Sequence, residues 1–235
     1  MEAKLALSLM TVFVLSASAT AKETRPSTPD QVLAEMKAGN MRYLTAISKH
    51  ERFDVEKRVA TALHGQKPIV TVLGCADSRV PPEIVFDQGF ADVFVVRIAG
   101  NVCGDTETAS VEYGVEYLGT PLVVVLGHTR CGAIEAALSG KQLPGHLPKL
   151  LTKIQPAVES ARRYHPKFTG DALLNAAIEE NVWYQMETLI RSSDIVRKRV
   201  KDGRLKVVGA LRDLMTGKVT WLGEHPKQKE LLTSL

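Results

Sequence analysis

Four short runs of branched apolar residues set most of what this chain can fold into. They are Ile69-Val70-Thr71-Val72-Leu73-Gly74, Val93-Phe94-Val95-Val96-Arg97, Leu122-Val123-Val124-Val125-Leu126-Gly127 and Leu205-Lys206-Val207-Val208-Gly209-Ala210. Runs this short and this continuous suit strands buried on both faces of a parallel sheet. Stretches of helical character lie between them, at Asp105 to Leu118, Cys131 to Leu138, Leu147 to Tyr164 and Asp171 to Lys201. A fifth run, Lys218-Val219-Thr220-Trp221-Leu222, follows Thr216-Gly217 closely and reads as a hairpin return at the sheet edge. The expected fold is α/β, with a mainly parallel central β-sheet flanked by helices and an N-terminal helical arm. Thr28-Pro29-Asp30-Gln31 starts that arm, with an N-cap, a proline at the first helical position and a glutamine to close a capping box. The arm should run from Pro29 to about Lys37 and end near Gly39-Asn40. The stretch from Leu147 to Lys201 is the expected subdomain or dimer-forming part.

Residues 1–21 read differently. Lys4 sits in a short n-region, Leu5 to Ala17 is apolar apart from Ser and Thr, and Ala17-Ser18-Ala19 and Ala19-Thr20-Ala21 have the small-x-small pattern of a cleavage site. The segment reads as a secretory signal peptide, leaving residues 22–235 as one domain. The apolar run is shorter than the roughly 20 residues of a spanning helix, so no stable membrane insertion is expected after cleavage. The expected location is outside the cytoplasm: periplasmic in a bacterium, otherwise secreted or lumenal. A net charge of +4 over 235 residues is too mild to indicate nucleic acid. The basic run Arg197-Lys198-Arg199-Val200-Lys201 reads as a solvated helix end.

The chain has only three cysteines, Cys75, Cys103 and Cys131, too few for a disulfide framework. Two of them sit in motifs just past the ends of expected strands: Cys75-Ala76-Asp77-Ser78-Arg79 and His128-Thr129-Arg130-Cys131-Gly132. Ligands of open α/β sheets bind beyond the carboxyl ends of the strands. Neighbouring strands would therefore bring two thiolates and one imidazole together. Tetrahedral zinc accepts that set and keeps a fourth position open. A closed structural site would need one more donor, and Cys103 is the only spare cysteine.

With these residues the chain resembles the β-class carbonic anhydrases, closely over about Gly65 to Leu138. The resemblance implies one Zn²⁺ per subunit on Cys75, His128 and Cys131, with an Asp77–Arg79 pair beside it. It implies reversible hydration of CO₂ to bicarbonate and a proton, in homodimers or assemblies of dimers. The planar fork of Arg79 can hold Asp77 off the metal, and in a closed form Asp77 itself would ligate. Gln66 and Tyr113 stand where the plant-type subtype has its substrate-binding glutamine and pocket tyrosine. Phe94 and Ala99 fall at further wall positions. Val72 replaces the tryptophan of a bicarbonate-inhibited subtype, whereas Arg97 is shared with it. Backbone amides around Gly132, at a helix start, are expected to receive bicarbonate. Two other readings stay open: a hydrolase of CS₂ or COS on the same zinc site, and a non-catalytic zinc-binding homologue.

Overall fold

The computed structural model describes residues 25–48 and 54–233, so the expected signal peptide lies outside the described residues. Five strands form one sheet: β1 (Val70–Gly74), β2 (Val93–Arg97), β3 (Leu122–His128), β4 (Lys206–Arg212) and β5 (Val219–Gly223). Their order is β2-β1-β3-β4-β5. The first four are parallel and β5 returns antiparallel to β4, as the hairpin signal implied.

The helices are α1 (Pro29–Leu44), α2 (Val55–His64), α3 (Pro82–Val85), α4 (Asp105–Glu112), α5 (Gly132–Ser139), α6 (Leu147–Leu151), α7 (Gln155–Tyr164), α8 (Gly170–Ser192), α9 (Asp194–Lys201) and α10 (Gln228–Thr233). β1 and β3 are buried along their whole length. Their side chains alternate between two cores. Val70, Val72, Leu122, Val124 and Leu126 face α1, with Val32 and Met36. Leu73, Val123 and Val125 face α8, with Val182, Met186 and Leu189. Each fully buried aliphatic side chain contributes roughly 1.5–3 kcal/mol, which makes this two-sided core the main stabilising feature.

Several boundaries depart from expectation. α1 has the capping box, with Thr28 accepting from the Gln31 amide, but it continues past Gly39-Asn40 to Leu44. That pair makes a tertiary contact instead of a helix end. A side chain at Gly39 would meet the Phe86 carbonyl oxygen at 1.8 Å. The Asn40 amide donates to Val85 and Gly217 carbonyls while its oxygen accepts from Val219 N–H. The Asp105–Leu118 helix changes to a wider π turn over Tyr113–Tyr117.

The stretch from Leu147 to Lys201 is no separate subdomain. It divides into α6, α7, α8 and α9, and α8 lies directly on the sheet. Gly127 and Gly209 let Val182 approach so closely that a Cβ there would meet it at 2.7 and 2.9 Å. The basic run is only partly solvated. Arg197 is buried and donates to the Ile190 and Arg191 carbonyls, capping the end of α8. No helix among the described residues is long and apolar enough to cross a membrane.

Candidate metal centre and its supporting loops

Because β1 and β3 are hydrogen-bonded neighbours with Gly74 opposite Leu126, their carboxyl ends lie side by side. Cys75 follows β1 directly and His128 is the last residue of β3. Arg130, at a positive φ of 55°, then turns the chain so that Cys131 becomes the N-cap of α5. The result is a buried cluster in which one ligand atom each from Cys75, His128 and Cys131 lies within 4.8 Å of the other two. Tetrahedral zinc with Zn–S near 2.3 Å and Zn–N near 2.0 Å needs donors about 3.5–3.8 Å apart, so the cluster is of the right size.

The imidazole is prepared for a cation. Nδ1 lies 2.9 Å from the Thr129 carbonyl, which can only accept, so Nδ1 carries the proton and Nε2 keeps its lone pair. Nε2 is fully buried and has no hydrogen-bond partner. Asp77 Oδ2 stands 3.9 Å from it.

The sulfurs are likewise poised. Cys75 Sγ accepts from the N–H groups of Gly100 at 3.3 Å and Asp77 at 3.4 Å. Contact with Cys131 first, with these amides adding to it, holds the Cys75 thiol down to about 4 against the opposing effect of burial. The same contact with Cys75, followed by burial, pushes Cys131 up. A divalent cation held by both sulfurs would displace their protons. The N–H groups of Ala133 and Ile134, at the start of α5, favour negative charge on the Cys131 sulfur without donating a hydrogen bond to it. Gly132 itself is exposed, with nothing within 4 Å of where a Cβ would stand.

Asp77 and Arg79 form the expected pair. Arg79 Nε reaches Asp77 Oδ1 at 2.9 Å and a terminal nitrogen reaches Oδ2 at 2.7 Å, while the Arg79 N–H also donates to Oδ1. Arg79 holds the Asp77 carboxyl well below the usual carboxylate range, overcoming the cost of its partial burial. Cys103 is not part of the cluster. It is buried beside Thr108, its thiol bonded at 3.3 Å, and burial raises it to about 11.

Three expected pocket residues stand elsewhere. Phe94 is opposite Thr71, four residues before Cys75, which is roughly 13 Å along the strand. Tyr113 packs against Phe94 with ring centroids 5.8 Å apart and the rings tilted. Gln66 lines a hollow with Tyr113, Phe90 and Leu118 at the amino ends of β1, β2 and β3. Within one chain, the metal cluster and this hollow therefore sit at opposite ends of the sheet. Ala99, by contrast, starts the turn that delivers the Gly100 N–H to Cys75.

Sequence reasoning singled out Arg97 without its loop-holding role and missed the other residues that hold the loops. Arg97 donates to the carbonyls of Cys75 at 2.9 Å and Asp77 at 2.5 Å. Asn181, buried on α8, donates to the Gly100 carbonyl at 2.9 Å and is itself bonded by Gln185, which also accepts from Cys103 N–H. The polar pair at i and i+4 among Ile178, Val182 and Leu189 was the available signal. Arg212, within the fourth run's extension, donates to the Arg79 carbonyl.

Residues 70–219 match the carbonic anhydrase family model. The chain is 36% identical over 194 residues to carbonic anhydrase 2 of Mycobacterium tuberculosis, covering 81% of this chain and 90% of that one. Its structure is similar to that of the β-carbonic anhydrase CafA of Aspergillus fumigatus, with a TM-score of 0.70 and 26% identity over 86% of this chain and 95% of the other. A tetrameric β-carbonic anhydrase from Sordaria macrospora shares the fold, with a TM-score of 0.66 and 23% identity over 83% of this chain and 98% of the other.

Proposed function

Because the chain belongs to the β-carbonic anhydrase family and to that enzyme class, we propose that it catalyses the reversible reaction of CO₂ and water to bicarbonate and a proton, with one zinc ion per subunit on Cys75, His128 and Cys131. The observation that carries this reading is the buried, unpartnered His128 Nε2 facing two sulfurs, with an arginine-held carboxylate on the rim. Bound there, zinc supplies the Lewis acidity that makes hydroxide available, and two thiolate donors, by cancelling its charge, leave that acidification short of the value of about 7 reached with three neutral imidazoles.

The chain's own residues do the rest. Asp77, kept ionised by Arg79, accepts the hydrogen of the attacking oxygen and turns a lone pair toward CO₂. The fork of Arg79 fixes both carboxylate oxygens, so Asp77 is held off the ligand set. The open space over Gly132 leaves room for the product.

Stopped-flow CO₂ hydration by the zinc-loaded enzyme tests the reading. Turnover is expected to rise from about pH 6 to about pH 9. Asp77 is ionised throughout that range, so it is not the group responsible. A flat profile would overturn the thiolate argument. Absent CO₂ hydration with turnover of COS or CS₂ would favour the related hydrolase, and zinc binding without turnover of any of them the non-catalytic reading.

The placement of Gln66, Phe94 and Tyr113 implies a dimer. β2 is at one edge of the sheet. A two-fold axis perpendicular to that edge strand runs two sheets antiparallel and sets the amino ends of one against the carboxyl ends of the other. The hollow of one protomer then walls the metal cluster of its partner. The exposed apolar residues Val55, Val59 and Leu63 on α2, and Tyr117, are further surface that such a contact would cover. Tyr113→Ala and Cys131→Ser proteins should each be impaired. Mixed and allowed to exchange subunits, they should exceed the sum of their separate activities, because one site per mixed dimer is intact. Simple additivity after proven exchange would count against the shared site. The N-terminal segment supports export, to the periplasm in a bacterium.

A further inference from the structure

Arg212 is the last residue of β4 and only 6% exposed. One terminal nitrogen donates to the backbone carbonyl of Arg79 and the other donates to the Tyr43 hydroxyl at 2.9 Å. Its guanidinium carbon stands 5.5 Å from the centre of the Tyr43 ring. Its Nε has no partner among the described residues. A buried guanidinium with donors to spare is costly unless its reach is used. Here the reach joins three separate pieces of the fold. Tyr43 is in the last turn of α1, Arg212 ends β4, and Arg79 closes the loop that carries Cys75 and Asp77. Leucine or methionine at 212 would fill the space and leave the Arg79 carbonyl unheld.

We infer that Arg212, braced by Tyr43, is a positioning residue that fixes the Arg79 backbone and so sets the aim of the Asp77–Arg79 pair. Arg79 is itself largely solvent-exposed, with a side chain that is 54% accessible. Its fork on Asp77 therefore depends on where its backbone is held. Arg97 pins the carbonyls of Cys75 and Asp77 from β2, and Arg212 pins that of Arg79 from β4. Two guanidiniums from opposite sides hold alternate carbonyls of one loop. The planar fork matters, because an ammonium at 212 is a single point donor and cannot span the Arg79 carbonyl and the Tyr43 hydroxyl in one geometry. The arm helix, remote in sequence from every ligand, thus supports the pair.

The inference rests on the proposed activity, and its test separates the two. The zinc-loaded wild type and Arg212→Met are compared by stopped-flow CO₂ hydration, zinc content and amide hydrogen exchange. Exchange is read with and without zinc. The variant should keep its zinc and its KM for CO₂ within about twofold, while kcat falls by about tenfold or more. The amides of Arg79 and Val80, bonded to the Asp77 side chain and carbonyl, should exchange about tenfold faster, with those of β1 and β3 unchanged. Free guanidinium ion should restore part of kcat to Arg212→Ala, where Arg212→Lys remains impaired.

An inactive wild type would sink the proposed function. An active wild type with unaltered kcat and unaltered loop exchange in Arg212→Met would sink this inference alone. Loss of kcat matched by loss of zinc or by faster exchange throughout the sheet would also overturn it, showing a merely structural residue. Should Arg212→Met not fold, Tyr43→Phe keeps the ring and removes the hydroxyl. It should lower kcat by about two- to fivefold with the same local gain in exchange, and no change in either would overturn the inference.

Discussion

Replacement of Cys131 by Ser is expected to cost the enzyme its zinc and its turnover together. Zinc content should fall from about one per chain to a small fraction, and CO₂ hydration by about a thousandfold or more. The physical reason is the economy of the site. Three side chains supply every protein donor in the cluster, and a serine hydroxyl stays protonated where a thiolate would bind. The position is also specialised. Cys131 stands at the N-cap position of α5, where the helix start and the Ala133 and Ile134 amides favour negative charge on its sulfur. The fold should survive, because the sheet core is separate from the cluster. Metal analysis beside stopped-flow kinetics checks this. A Cys131→Ser protein retaining both zinc and near-normal turnover would refute the assigned ligand set.

Asp77→Asn is expected to behave differently, and the contrast is diagnostic. The amide keeps the shape of the carboxylate but loses the charge that binds the Arg79 fork and accepts the hydrogen of the attacking oxygen, so kcat should fall by about a hundredfold to ten-thousandfold with zinc retained. Arg79→Ala should also be severely slowed, for a different reason. Without the bidentate fork at 2.7 and 2.9 Å, a carboxylate whose oxygen is already 3.9 Å from His128 Nε2 is free to move onto the ligand set. Zinc content and kcat measured together distinguish both from the Cys131 variant. A zinc-loaded Arg79→Ala enzyme with undiminished turnover would remove the dyad from the mechanism.

The legible part of this protein was local. Strand cores were readable because burial on both faces demands continuous branched apolar residues, and β1, β2 and β3 lie where those runs are. The ligands were readable because Cys and His past strand ends have few roles that suit them. Boundaries set by long-range contacts were not readable. Gly39-Asn40 has the composition of a helix end, yet the helix passes through it, because a glycine there lets α1 meet the Phe86 carbonyl and Asn40 satisfies backbone groups near residue 217. The break between Tyr164 and Asp171 was readable, but the stretch from Asp171 to Lys201 is uniformly helical in pattern. Only the need of Ser193 to cap α9, and of Arg197 to cap α8, shows where it breaks.

By itself the sequence determined the sheet, its parallel sense and the three donors, since each follows from residue type and short-range pattern. Tertiary structure alone decided which ends of the sheet the remaining functional residues occupy. It put Gln66, Phe94 and Tyr113 away from their own chain's cluster, and it brought Tyr43 and Arg212 to the back of the Asp77 loop. The reason is that hydrophobic periodicity specifies which face of an element is buried but not which neighbour buries it. Hydrogen bonds between residues far apart in the chain leave no periodic trace in the sequence.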